Sequence, residues 1–305
     1  MTADIRYIVL VWVALLLSPL TAHRSSLSAQ SYAGVSLAGH VPMVQDNSDL
    51  ARSKVAFGGE AGGVYEWHDG LFMLQTGFSF ALLCPSMSVK DMQLEQEMLD
   101  TRGVPFIYRG ALQGRTDYMT IGQLNVPFYA GVSLQGWHLM AGLKLAVVLH
   151  SQAHVNARLQ TVVDYEGRYY DYLENMPNHG YHDFEPVRST HRVPLNPVDI
   201  RLCAETGYTF ALSPYSTLPS PLLRFGIFAE YGLMDMRKPR LGADASPMVA
   251  PDYTHYMSIS MTHLYAAENS SNLHAHMLSF GLRITLLFQL PGSDRRSCKC
   301  YGTWR

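Results

Sequence analysis

The sequence predicts an all-β protein: an antiparallel up-and-down transmembrane β-barrel of about eight strands with long external loops. Three observations carry that expectation. Alternation of apolar and polar residues runs through 118–151 for about fifteen positions either side of a Gln135-Gly136 turn, which is longer than soluble strands usually run. Similar alternating runs recur along the chain, joined in turn by short connections and by long polar ones. The apolar faces of all these runs lack charge, whereas the opposite faces carry it.

The composition agrees. The chain has 305 residues, 48% of them hydrophobic and only 16% charged, with a formal net charge of −2. This excludes a polyanion-binding basic domain and a disordered acidic tail, and no nucleic-acid partner is expected. Arg6 precedes an apolar run, Tyr7 to Leu20, and then small and polar residues from Thr21 to Gln30, the layout of a secretory signal peptide. Cleavage after Ala29 makes residues 1–29 the signal and 30–291 the barrel, with 292–305 a short periplasmic tail; cleavage after Ala22 is the alternative. No later segment reaches the roughly 18 uninterrupted apolar residues of a spanning helix.

The runs can be taken in order. The first aligns Val35, Leu37, Val41 and Met43. The second places Val55, Phe57, Ala61, Tyr65 and Trp67 opposite Glu60 and Glu66, and ends at the turn His68-Asp69-Gly70. The third aligns Phe72, Leu74, Phe78, Phe80 and Leu82. In the central hairpin, even positions from Leu124 to Leu134 and odd positions from Trp137 to Leu149 form the apolar faces, with Lys144 and His150 opposite the latter. Val198 to Leu212, Leu223 to Leu233 and Leu278 to Leu290 complete eight runs. Segments 85–117, 152–196 and 235–276 read as long external loops, the start of 152–196 through Val163 also reading as strand continued above the membrane. Short turns on one side and long loops on the other are how outer-membrane barrels are built.

The inward faces carry Glu60, Glu66, Lys144, Arg201, Glu205, Arg224, Glu230 and Arg283, four acids and four bases. An eight-stranded barrel encloses space just wide enough for side chains. The plainest expectation is therefore mutual pairing and a closed lumen, since unpaired charge there is costly.

Several stretches resemble the Bacteroidetes-type outer-membrane β-barrel proteins, the PorT-like group: Ile121 to Pro127 (IGQLNVP), Met140 to Lys144 (MAGLK) and Ser279 to Pro291 (SFGLRITLLFQLP). The resemblance implies a barrel in the bacterial outer membrane, and for some members a part in a secretion apparatus. It transfers no functional residue. The tail beyond Leu290 departs from the common pattern of ending on the last strand.

Other candidates are weaker. Cys298 and Cys300 form a pair in the tail, apart from Cys84 and Cys203, and the spacings match no disulfide scaffold. A loop metal site would draw on His179, His182, Asp183, Glu185, His274 and His276. No nucleophile–base–orienter set can be chosen by spacing, and no cofactor motif occurs. Tyr165, Tyr169, Tyr170, Tyr172, Tyr181 and Phe184 suit either partner contact or an interfacial girdle. The functional expectation is a non-enzymatic accessory of a secretion or surface assembly. Its partners are outer-membrane lipid and, through the loops, other envelope or secretion proteins. A small transport pore and a rim-located lipid or peptide hydrolase are the alternatives. Pairing of the weakly alternating His255 to Thr262 with another loop would raise the strand count to ten.

Overall fold

The computed structural model describes residues 30–99, 105–164, 182–212, 221–238, 262–266 and 273–290. In chain order its strands are β1 (Gln30–Asp46), β2 (Ala51–Lys54), β3 (Gly58–Asp69), β4 (Phe72–Leu83), β5 (Ser86–Val89) and β6 (Met92–Leu99). There follow β7 (Pro105–Leu134), β8 (Trp137–Asp164), β9 (His182–Arg192), β10 (Val198–Ala211), β11 (Leu222–Gly232), one helical turn α1 (His263–Ala266) and β12 (Ala275–Gln289). Every pairing between these strands is antiparallel. The candidate signal (1–29), the tail with Cys298 and Cys300, the loop tyrosines, His179 and most of 255–262 lie outside the described residues.

Eight strands close a ring in the order β1-β3-β4-β7-β8-β10-β11-β12, sealed by β12 against β1 from Tyr32↔Gln289 to Asp46↔Ala275. Closure removes the unpaired edges that lipid does not tolerate. At one end the ring makes tight turns. Gln135 (φ 51°) and Gly136 (φ 88°) join β7 to β8, and Gly70 (φ 63°) helps join β3 to β4. Both central hairpin residues at positive φ give the turn whose twist matches the strands it joins.

The outward faces are apolar because their solvent is lipid. Leu37 is 64% exposed, Phe78 64% and Leu282 65%, and no Asp, Glu, Lys or Arg interrupts these faces between the strand ends. Near the short-turn end an arc of outward aromatics runs Trp137, Tyr208, Phe210, Phe225 at centroid distances of 5.3, 4.7 and 6.0 Å. Such arcs are the interfacial girdles of transmembrane barrels. The fold is a transmembrane β-barrel.

Two expectations are corrected. The stretch 85–117 is not simply a loop, nor is 152–196, where β8 runs on to Asp164 as the strand reading through Val163 expects and β9 follows: their described parts are strands that lengthen the barrel wall beyond the membrane. β7 and β8 continue as one hairpin from Ile107↔Asp164 down to Leu134↔Trp137, β5 and β6 pair along the outer edge of β7, and β9 pairs with β8. Polar residues facing water on one side and apolar ones packed on the other suffice for a sheet there, so polarity alone misled the loop assignment. The second correction concerns His150. It is exposed rather than inward beside Lys144, because pairing jumps from Gln123↔Val148 to Gly122↔His150 and leaves Leu149 as an extra residue. That β-bulge reverses the alternation of β8.

Candidate functional site

All eight charged residues singled out on the inward faces are buried in the lumen, none more than 7% exposed. The wall positions them by strict alternation, and glycine makes room for one of them. A Cβ at Gly226 would lie 2.8 Å from Glu205 Oε1, so a side chain there would displace the carboxylate.

The ion pairs form a ladder. At the short-turn end Arg224 grips both oxygens of Glu66, whose Oε2 also lies 2.9 Å from His68 Nε2. Above it Arg283 binds Glu205, which stands 3.6 Å from His138 Nε2. Arg283 also reaches Glu60 at 3.6 Å and Glu230 at 3.7 Å, and its guanidinium lies 4.7 Å from the centroid of the inward ring of Phe228. Lys144, wholly buried, donates to Glu60 at 3.0 Å and to Glu230. Glu60 is further held by Ser79 Oγ (2.9 Å), Asn125 Nδ2 (3.2 Å) and His40 Nε2 (3.2 Å). Toward the loop end Arg201 donates to Asp199 at 2.8 Å and to Gln123 at 2.7 Å.

Asp199 is a fifth carboxylate against four bases, and sequence reasoning missed it. It stands two positions before Arg201 on the same face, so the alternation could have found it had the strand been read to its end. Alternation puts Gln123, Asn125 and His138 on the face opposite the apolar one, but their part in the network, and that of His40, was missed for a different reason. Uncharged polar residues on an inward face carry no signal until their neighbours are known.

His40, Glu60 and Glu230 bring one potential ligand atom each within 4.8 Å of one another. The ammonium of Lys144 already bonds both carboxylates, and Arg283 is the next cation. A divalent ion would have to displace or repel both, so this arrangement is a counter-ion cluster in its chemistry. Of the loop histidines with described side chains, His274 Nδ1 faces Asp235 Oδ2 at 3.4 Å and His276 Nδ1 faces Gly232 O at 3.1 Å.

Beyond the charges the barrel is stoppered by an apolar plug. Leu83, Met119, Ile121, Val193, Leu264 and Met277 are among its buried members, drawn from the loop ends of β4 and β12, the middle of β7 and the segments between the strands. The plug is pinned from outside. Asp117 accepts from Arg115 Nε (2.9 Å) and Nη2 (3.2 Å) and from the backbone N of His263 (2.7 Å). His263 Nε2 meets Asp46 Oδ2 at 3.3 Å and Ser48 Oγ at 2.9 Å. Burial holds the His263 imidazole below the ordinary histidine range, against the opposing pull of Asp46 and Asp117. This clasp fastens α1 over the mouth. Ser48 and His263 lie in hydrogen-bond contact, but both Asp46 and Ser48 sit at the same ring nitrogen, Nε2. That is not the base-and-orienter arrangement of a nucleophilic site, which uses the two ring nitrogens separately.

Neither a protein-family model nor a curated protein matches the chain. Among solved structures it is similar to Ail, the attachment invasion locus protein of Yersinia pestis, in a complex with the heparin analogue sucrose octasulfate. The likeness covers 86% of this chain and 99% of that one at 8% identity, with a TM-score of 0.28.

Proposed function

We propose that the protein is an outer-membrane barrel, closed to ions, that serves without enzymatic chemistry as an accessory of a secretion or surface assembly. The PorT-like resemblance implies the barrel and the membrane, and some members of that group take part in secretion. Its short turns face the periplasm and its extended sheet faces outward, where it contacts partner proteins of the envelope. The observation that carries the closed barrel is the stack of obstructions along the lumen: a ladder of paired charges and then the apolar plug. Removing one partner from a buried pair costs about 3–5 kcal/mol, so the ladder resists being opened one residue at a time. An extension of the β7–β8 hairpin well past the membrane suits a platform for another protein.

The test is single-channel conductance of the refolded protein in a planar bilayer, with Glu60→Gln and Arg224→Gln alongside. Silence from the wild type and at most flickering in the variants supports the closed barrel. Steady, ion-selective conductance from the wild type overturns it and makes the protein a small pore.

A further inference from the structure

Five strands build the outward face of the sheet beyond the membrane, and their registers line up across it. One row is Lys54, Ser86, Tyr118, His154 and Thr190, on β2, β5, β7, β8 and β9. The next row out is Arg52, Ser88, Thr116, Asn156 and Arg188. Lys54 Nζ donates to Thr116 Oγ1 at 3.2 Å, and His154 Nδ1 lies 2.8 Å from Thr190 Oγ1, so both rows share one side. At about 4.8 Å between strands, Arg52 and Arg188 stand roughly 19 Å apart at the backbone. Arg192, opposite Gln152, and Arg158, opposite Pro186, extend the same side one row below and one row above.

The charge here has a single sign. Neither row contains an acid, and Asp117, between Thr116 and Tyr118 in the chain, is buried on the other side with Arg115. Among the described residues Arg52, Lys54, Arg158, Arg188 and Arg192 are exposed and have no carboxylate within ion-pair distance. Arg109, farther up the sheet, has Glu95 at 3.0 Å. Unanswered cations gathered on one face draw anions to it.

Composition and height select the ligand. Between the cations the rows offer hydroxyls, one amide and one exposed ring, that of Tyr118. They lack the apolar centre that a protein partner buries. A phosphorylated saccharide suits them better. Hydroxyls and amide match sugar hydroxyls, the tyrosine ring lends a flat apolar surface, and guanidinium groups match phosphate oxygens two at a time. His154 and Asn156 lie five and seven residues beyond Leu149, the exposed residue at the top of the apolar belt. At about 3.3 Å per residue and a strand tilt of about 35–45°, the two rows stand roughly 13 and 18 Å above that belt. The headgroup layer is only about 5–7 Å deep, so both rows rise clear of it. They continue the lipid-facing side of the wall, and so look sideways into the layer directly above the surrounding lipids.

We propose that this face, through Arg52, Lys54, Tyr118 and Arg188, binds the phosphate-bearing saccharide chains of glycolipids in the leaflet around the loop end. The lipid tails stay in the bilayer beside the barrel while the sugars climb its wall. This rests on the membrane placement given above.

The experiment uses the full chain refolded into phosphatidylcholine vesicles, whose flotation in a density gradient reports insertion. The vesicles carry equal minor fractions of phosphatidylglycerol and of a rough lipopolysaccharide with a phosphorylated core. After solubilisation in dodecyl maltoside the tagged barrel is captured, and each lipid retained per barrel is counted. The expected result is retention of lipopolysaccharide well above phosphatidylglycerol, falling with added salt and with prior dephosphorylation of the core. Arg52→Gln/Arg188→Gln should lower that retention about tenfold. Tyr118→Ala should lower it about threefold although no charge is lost. Arg109→Gln/Lys238→Gln removes the same charge outside the two rows and should leave it unchanged. Retention that survives Arg52→Gln/Arg188→Gln, falls equally in both double variants, or is matched by phosphatidylglycerol overturns the proposal. Arginine-dependent capture of soluble heparin or polyglutamate without retention of lipopolysaccharide also overturns it, and makes the face a docking site for a soluble polyanion. Failure of the wild type to float overturns the membrane placement and the proposal with it.

Discussion

The lower and upper halves of β8 obey the same sequence rule in opposite solvents. From Trp137 to Leu149 the odd residues are apolar and face outward, while Lys144 and Ala146 face the lumen. From Ala153 to Leu159 the odd residues are still apolar, yet there they face inward and are buried, and His154, Asn156 and Arg158 face out. Outside Val147 to Gln152 the apolar residues keep the same parity in the sequence. One extra residue at Leu149 turns the strand over where lipid gives way to water. β7 solves the same problem without a reversal. Its inward odd positions change from polar Asn125 and Gln123 to apolar Ile121 and Met119. A barrel that leaves the membrane must exchange its inside chemistry for its outside chemistry, and the paired strands show two ways of doing so.

The sharpest way to break that comparison is to delete Leu149. Without the extra residue either Ala153, Val155 and Leu159 turn to water and His154 and Arg158 turn inward, or the pairing with β7 slips. The expected outcome is loss of the folded barrel, read as disappearance of the heat-modifiable band on cold gel electrophoresis after refolding. A normal band would mean that the bulge is incidental.

A second test places the same charge on the same outward side above and below the bulge. Leu143→Arg should cost about 2–4 kcal/mol in denaturant unfolding from bilayers, because it puts a cation near the lipid midplane. Asn156→Arg should cost no more than about 1 kcal/mol, from the like charge of Arg188 directly opposite. Equal costs would mean that both halves meet the same solvent.

The smallest effect concerns the clasp. His263 is held below its ordinary value by burial, so the unfolded chain binds its proton first as pH falls. Its contribution is present above about pH 6.5 and is lost as pH drops toward the lower folded value. Amide exchange of 262–266 should therefore accelerate on mild acidification, while exchange in the belt strands stays unchanged. Uniform acceleration across the barrel would place the sensitive group elsewhere.

Much of the fold was legible because lipid makes alternation strict. Any charge on the outward face of β3, β4 or β12 would be expensive, so Glu60, Glu66 and Arg283 could be assigned inward from parity alone. The upper sheet was less legible, because water tolerates polar strands and polar loops alike, and 85–117 reads equally well as either. Within the lumen, the charges were recognisable but their partners were not. Nothing in the spacing of Lys144, Glu60 and Glu230 says that one ammonium joins two carboxylates on different strands.

By itself the sequence determined the barrel class, the eight belt strands and the eight charges assigned to their inward faces. Each follows from local alternation read against a single solvent. Only the tertiary structure decided the bulge at Leu149, the apolar plug and the His263 clasp. Those depend on which strands lie side by side and on the few residues where the solvent changes, and neither is encoded at short range.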